Sequence, residues 1–151
     1  MPEQKTIERA REDKRQGKSP STQAGEFVRE EVHHIREGKH GARSSKQAIA
    51  IGLSKARRAG VKLPAPAKGK VSSRTRRQAE RDLKRAGKKR KLSRKRSHAT
   101  ASALKREGHQ AGSSRSLAKH ARATARNRTK RSRSAAAKKA ARTRAKRRQH
   151  R

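Results

Sequence analysis

From Ala65 to its last residue the chain carries 33 Lys and Arg against 3 Asp and Glu. A segment so charged cannot rest on a hydrophobic core. Its cations repel one another, and the apolar area available does not offset the roughly 1–2 kcal/mol of backbone entropy lost per ordered residue. Residues 1–64 differ, with 15 Lys and Arg and 8 Asp and Glu. The change falls at LPAPAKGK, where Pro64 and Pro66 deny helix continuation and Gly69 loosens the chain. The expectation is an all-α protein. A mixed-charge helical head over 1–64, built on a small helical hairpin with an extra N-terminal helix, precedes a basic tail over 65–151 that is disordered alone and helical when bound.

Three helical segments fit the head. TIERAREDKRQG opens at Thr6 as N-cap and closes at Gly17, with opposite charges at helical spacing in Glu8–Arg11, Arg9–Asp13 and Glu12–Arg15. Ile7 is its one strong hydrophobe, so it reads as a solvated, fraying helix. STQAGEFVREEVHHIREGKHG is amphipathic: Ser21 or Thr22 caps it and Gly38 ends it. Ala24, Phe27, Val28, Val32 and Ile35 form its apolar stripe, while Glu26, Arg29, Glu30, Arg36 and Glu37 face water.

The third segment, SSKQAIAIGLSKARRAGVKLP, is capped by Ser44 or Ser45 and ends at Gly60, with Val61 folding back onto the last turn. Ile49, Gly52, Leu53 and Ala56 share one face, and Gln47, Ser54, Arg57 and Arg58 lie largely on the other. Across GKHGARS the two stripes pack as an antiparallel pair or a helix-turn-helix. Burial at about 1.5–3 kcal/mol per side chain makes a marginal core, which a homodimer through the head would reinforce. A dimerisation or docking hairpin is favoured over a DNA-reading helix-turn-helix, because Glu26, Glu30, Glu31 and Glu37 make the preceding helix acidic.

The stretch GEFVREEVHHIREGKHGARSSKQAIAIGLSKARRAG resembles the head of an uncharacterised family of short, very basic bacterial proteins, and its string KQAIAIGLSKARRAG is specific. The tail pieces SHATASALKREG and SLAKHARATARNR resemble that family's tails more loosely. By composition alone the tail is similar to those of linker histones and bacterial histone-like proteins. The resemblance implies no activity beyond nucleic-acid association.

The tail contains three Ala-rich stretches, SHATASALKREG, SRSLAKHARATARNR and SRSAAAKKAARTRAKRR, after the run GKKRKLSRKR. SRS recurs at 114–116 and 132–134, a spacing of 18 residues, which is five helical turns and would put the repeats on one face of a continuous helix. Ala, Arg and Lys favour helix and the leading serines favour caps, while cation repulsion opposes both until a polyanion removes it. The contacts expected to neutralise phosphates are Arg57 and Arg58 in the head and Arg74, Arg76, Arg77, Lys88, Lys89, Arg90, Lys91, Arg94, Lys95 and Arg96 in the first part of the tail. Further along they are Arg126, Arg128, Lys130, Arg131, Arg133, Lys138, Lys139, Arg142, Arg144, Lys146, Arg147 and Arg148. Arg flanked by small residues, as in SRTRR, SRKRS and RNRTKRSR, also suits narrow minor grooves.

Several chemistries are disfavoured. With no Cys there is no disulfide, zinc knuckle or thiol nucleophile. GKHGARSSK lacks the spacing of a phosphate-binding loop and follows a helix rather than a strand. Phe27, the single aromatic residue, offers no platform for stacking single-stranded bases. His34 follows Glu30 by four residues and His33 precedes Glu37 by four, spacings that can hold a metal, but His33, His34 and His40 read as polar surface, and neither metal nor cofactor is expected. No apolar run is long enough for a membrane span, and MPEQKTIERA lacks a signal-peptide core. The reading is a cytoplasmic, nucleoid-associated, histone-like protein that binds duplex DNA without sequence preference and is not an enzyme. An RNA- or ribosome-associated basic protein is the alternative.

Overall fold

The computed structural model describes residues 2–87 and 93–149, and over these the chain is all-helical with no strand. The helices are α1 (Gln4–Arg15), α2 (Pro20–Arg36), α3 (Ser45–Arg58), α4 (Ser73–Lys84), α5 (Arg94–Lys105), α6 (Ser114–Arg126) and α7 (Lys130–Gln149), with a 3-10 turn at Gln110–Gly112. They divide into two compact units, Met1–Ser116 and Leu117–Arg151.

In the first unit α2 and α3 pack antiparallel. Ala24 and Phe27, early in α2, meet Ala56 and Val61, while Ile35 near its end meets Ala48. The close approach depends on Gly52: a Cβ there would stand 2.7 Å from the Val28 Cα, inside any permissible contact. Leu53 packs against the Phe27 cluster from the side as a partly buried residue, and the buried spine of α3 is Ala48, Gly52 and Ala56. Gly38 and Gly60 take positive φ at the ends of α2 and α3, as expected, and Val61 folds back to donate its N–H to Ala56 O at 3.1 Å.

Several local expectations change. The cap of α2 is Ser19, not Ser21 or Thr22, because Pro20 has the fixed φ suited to the first helical position and starts the helix earlier. Ser44, rather than Ser45, caps α3 and accepts from the Gln47 N–H at 3.2 Å. Thr6 is no cap: α1 begins at Gln4, and Thr6 is buried within it. Glu3 fixes that start by donating its N–H to Glu30 Oε2 at 3.0 Å while its carboxylate accepts from His34 Nε2 at 2.8 Å. Nor is α1 solvated all round, since Ala10 and Asp13 are also buried, Ile7 packs on the core, and Arg9 pairs with Glu26 of α2 at 3.1 Å. Of its expected internal pairs, Glu12–Arg15 forms.

The first unit continues well past Pro64. Ala111 belongs to the core cluster of Ile35, Ala42 and Ala48. The loop after α2 is tied to the segment after α5, with Gly41 N–H donating to Leu104 O at 2.9 Å and Ala42 N–H to Gly108 O at 3.1 Å. Arg36 Nε donates to Gly112 O at 2.7 Å, and Ser45 Oγ to Ala111 O at 2.7 Å. Helix α4 docks on the side of α3 read as polar, through buried Ala79 and through Asp82, which accepts from Ser54 Oγ at 2.6 Å. The apolar stripes are thereby covered within one chain, and Val71 is the large hydrophobe exposed among the described residues.

The second unit carries most of α6 and all of α7. No described residue in it is buried. The two helices are interrupted at Asn127–Thr129, so the SRS repeats do not share the face of one continuous helix. They fall instead in the first turns of two separate helices, each opened by a hydroxyl cap: Ser113 Oγ accepts from Ser116 N–H and Thr129 Oγ1 from Ser132 N–H, both at 3.2 Å.

Candidate nucleic-acid interface

The 11 acidic residues all lie in Met1–Ser116, whereas Leu117–Arg151 hold 15 Lys and Arg and no Asp or Glu. In the first unit acidic groups are consumed locally. Lys55 Nζ stands 2.7 Å from Glu31 Oε2 and 3.2 Å from Glu30 Oε1, and Lys18 is 2.6 Å from Asp13. Burial raises the Glu30 carboxyl, but the Glu3 N–H, the Thr6 hydroxyl and Lys55 outweigh it and hold the group below the ordinary carboxylate range. Glu30, read as water-facing, is in fact buried.

Arg57 is likewise inside the fold. It is 6% exposed, and its guanidinium donates to Leu63 O at 3.2 Å and Pro64 O at 3.3 Å, strapping the chain after α3 back onto the helix. Burial pushes its proton affinity down and the Asp82 carboxylate opposes this. Two of its three guanidinium nitrogens are thereby engaged within the fold. Arg58, the next residue, is exposed and keeps its Nε on Ser54 O at 3.3 Å.

On α4, Arg74 and Arg77 are exposed with Arg81 on the outward side, opposite Ala79 and Asp82. Arg76 is half-buried and lies 3.0 Å from Glu80. Arg94, Lys95 and Arg96 occupy the exposed first turn of α5, behind the Ser93 cap. Arg126, Lys130, Arg131, Arg133, Lys138, Lys139, Arg142, Arg144 and Arg148 are exposed on α6 and α7. Arg128, between those helices, is exposed and binds Ser132 through Nε at 3.2 Å. Lys146 and Arg147 lie in α7 with side chains outside the description, and Lys88, Lys89, Arg90 and Lys91 lie outside the described residues.

Exposed cations that composition-led reading passed over include Arg115, Lys119 and Arg122 of α6. Their signal was available, since none has an acidic residue within four positions. The histidines also resolve. His33 is exposed and 2.8 Å from Glu37, the spacing noted in the sequence, whereas Glu30 and His34 do not pair. His34 and His40 are instead brought together beside Glu31.

These features define a protein, all-helical over the described residues, whose first unit pairs its carboxylates with neighbouring cations and whose second unit carries cations without any Asp or Glu. Residues 11–68, from the second half of α1 through α3 to the linker before α4, match the Family of unknown function (DUF6496), so the head is similar to an uncharacterised family. No curated protein and no solved structure matches the chain. Among the described residues no helix is long and apolar enough to cross a membrane.

Proposed function

We propose that the protein binds duplex DNA without sequence preference and acts as a nucleoid-associated, histone-like coat. The observation that carries this reading is the second unit: 15 cations, no carboxylate from Asp or Glu to neutralise them, and, among the described residues, no buried side chain to explain them as packing. A charge run of that density exceeds what solubility requires.

Helix polarity adds a second argument. A helix N-terminus carries partial positive charge and ordinarily attracts Asp or Glu into its first turn. None of the seven described helices has an acidic first turn, and α5 and α7 go further: α5 opens with Arg94, Lys95 and Arg96 and α7 with Lys130 and Arg131. Cations there add to the helix charge, a conflict that an external phosphate relieves for both at once. The same reasoning makes α7 conditional: it rests on Ala propensity against like-charge repulsion, so its helix deepens when phosphates neutralise Lys138, Lys139, Arg142 and Arg144. The apolar faces that a head-to-head dimer would use are covered within the chain, so the proposed coat does not require one. No catalytic role enters this reading.

The test is anisotropy of the full chain with unrelated duplexes and with ribosomal RNA fragments at fixed salt. Equal affinity for all duplexes, a log–log salt slope of about −0.9 per phosphate contact and weaker competition by RNA are the expected results. Preferential capture of RNA would replace DNA by RNA as the partner.

A further inference from the structure

Three ligand-type side chains meet at the end of α2. Glu31, His34 and His40 each place a donor atom within 4.8 Å of the others. Glu31 and His34 are one turn apart on α2, and His40 returns on the loop held by Leu104 and Gly108. We propose that these three residues form a binding site for a divalent transition-metal ion, with Zn²⁺ the best match to a carboxylate and two imidazoles.

The electrostatics call for an added cation. Glu30 and Glu31 are 4% and 1% exposed, and the single ammonium of Lys55 serves both. Glu30 also receives the Glu3 N–H. Glu31 receives no comparable help: neither of its buried oxygens has a well-directed hydrogen bond, and Oε1 faces His40 Nε2 at 3.5 Å. An underserved buried carboxylate is costly, and a metal ion removes that cost.

The hydrogen bonds of the two rings favour ligand tautomers. His40 Nδ1 lies 3.0 Å from its neighbour's carbonyl, Gly41 O, which can only accept, so Nδ1 carries the proton and the Nε2 lone pair faces Glu31. His34 Nε2 is held by the Glu3 carboxylate at 2.8 Å, the carboxylate–histidine pairing that raises the basicity of a metal ligand, and such a ring offers its lone pair at Nδ1. Ligands at about 2.0–2.1 Å in a tetrahedron stand about 3.3–3.4 Å apart. The Glu31–His40 edge already has nearly that length. A water completes four-coordination, because the His34 and His40 rings remain 14% and 19% exposed.

The experiment titrates chelator-treated full-length protein with Co²⁺, read by visible d–d absorption, and with Zn²⁺ by calorimetry. One equivalent should bind with tetrahedral Co²⁺ bands. His40→Ala and His34→Ala should each weaken binding by at least about tenfold, while His33→Ala, outside the triangle, should bind like the parent. Circular dichroism of each variant establishes that the helices persist, and His40→Gln, which retains bulk, carries the comparison if His40→Ala loses helix. No uptake by the parent protein, or equal loss in all three His→Ala variants, or unchanged affinity in His40→Ala, overturns the site.

Discussion

The two units are both helical, yet they are helical for opposite reasons. In the first, Phe27, Ile35 and a set of alanines are buried, and carboxylates such as Glu30, Glu31 and Asp82 answer cations and hydroxyls from neighbouring helices. In the second no described residue is buried, and every formal charge contributed by a described side chain has the same sign if His is neutral. Helix propensity is present in both. Tertiary burial separates a helix that stands by itself from one whose stability depends on what surrounds it.

The sharpest way to break this comparison is to remove packing where it is claimed to matter. Phe27→Ala, at a side chain 1% exposed, should destabilise the first unit by about 3–5 kcal/mol, read by denaturant unfolding, and leave the helical gain proposed for α7 on DNA addition unchanged. Deleting Leu117–Arg151 has the converse outcome. Duplex affinity at low salt should fall at least about 100-fold, with a shallower salt slope, while the unfolding midpoint of the first unit holds.

Gly52→Ala tests how close α2 and α3 are. Alanine improves helix propensity by about 1 kcal/mol, but its Cβ would meet the Val28 backbone, which cannot rotate away, so a net loss of about 1–3 kcal/mol is expected in the same unfolding assay. Acid titration gives the smallest effect and also divides the units. The Glu30 carboxyl is held below its unfolded value, so its stabilisation is full at neutral pH and is lost as pH falls below about 4.3 through the lowered folded value. The thermal midpoint of the first unit should drop in that window. Glu30→Gln should flatten the drop while lowering stability at neutral pH, and helices α6 and α7, without Asp or Glu, should show no such dependence.

What was legible in the sequence follows the same division. The stripe of Ala24, Phe27, Val32 and Ile35, the glycine ends at Gly38 and Gly60 and the cation-rich tail were all visible, because periodicity and charge are local signals. Arg57, placed by a helical wheel on the polar outer face of α3, is buried there, because the wheel cannot show that Leu63 and Pro64 turn back to offer carbonyls. Glu30 was misread for a related reason: its partners, the Glu3 N–H and Lys55, come from distant positions in the chain. The docking of Ala111 and α4 escaped notice because small and polar residues make that contact, leaving no hydrophobic pattern to find. Glu31, His34 and His40 come together only once the loop after α2 is closed by Leu104 and Gly108.

Hydrogen exchange of the full chain, with and without duplex DNA, tests the central claim most directly. Amides of α2 and α3 should be protected in both conditions, since packing holds them, while those of α7 should exchange rapidly in the free protein and gain protection when DNA is added. Protection of α7 equal to that of α3 without DNA, or no gain when DNA is added, would contradict the account.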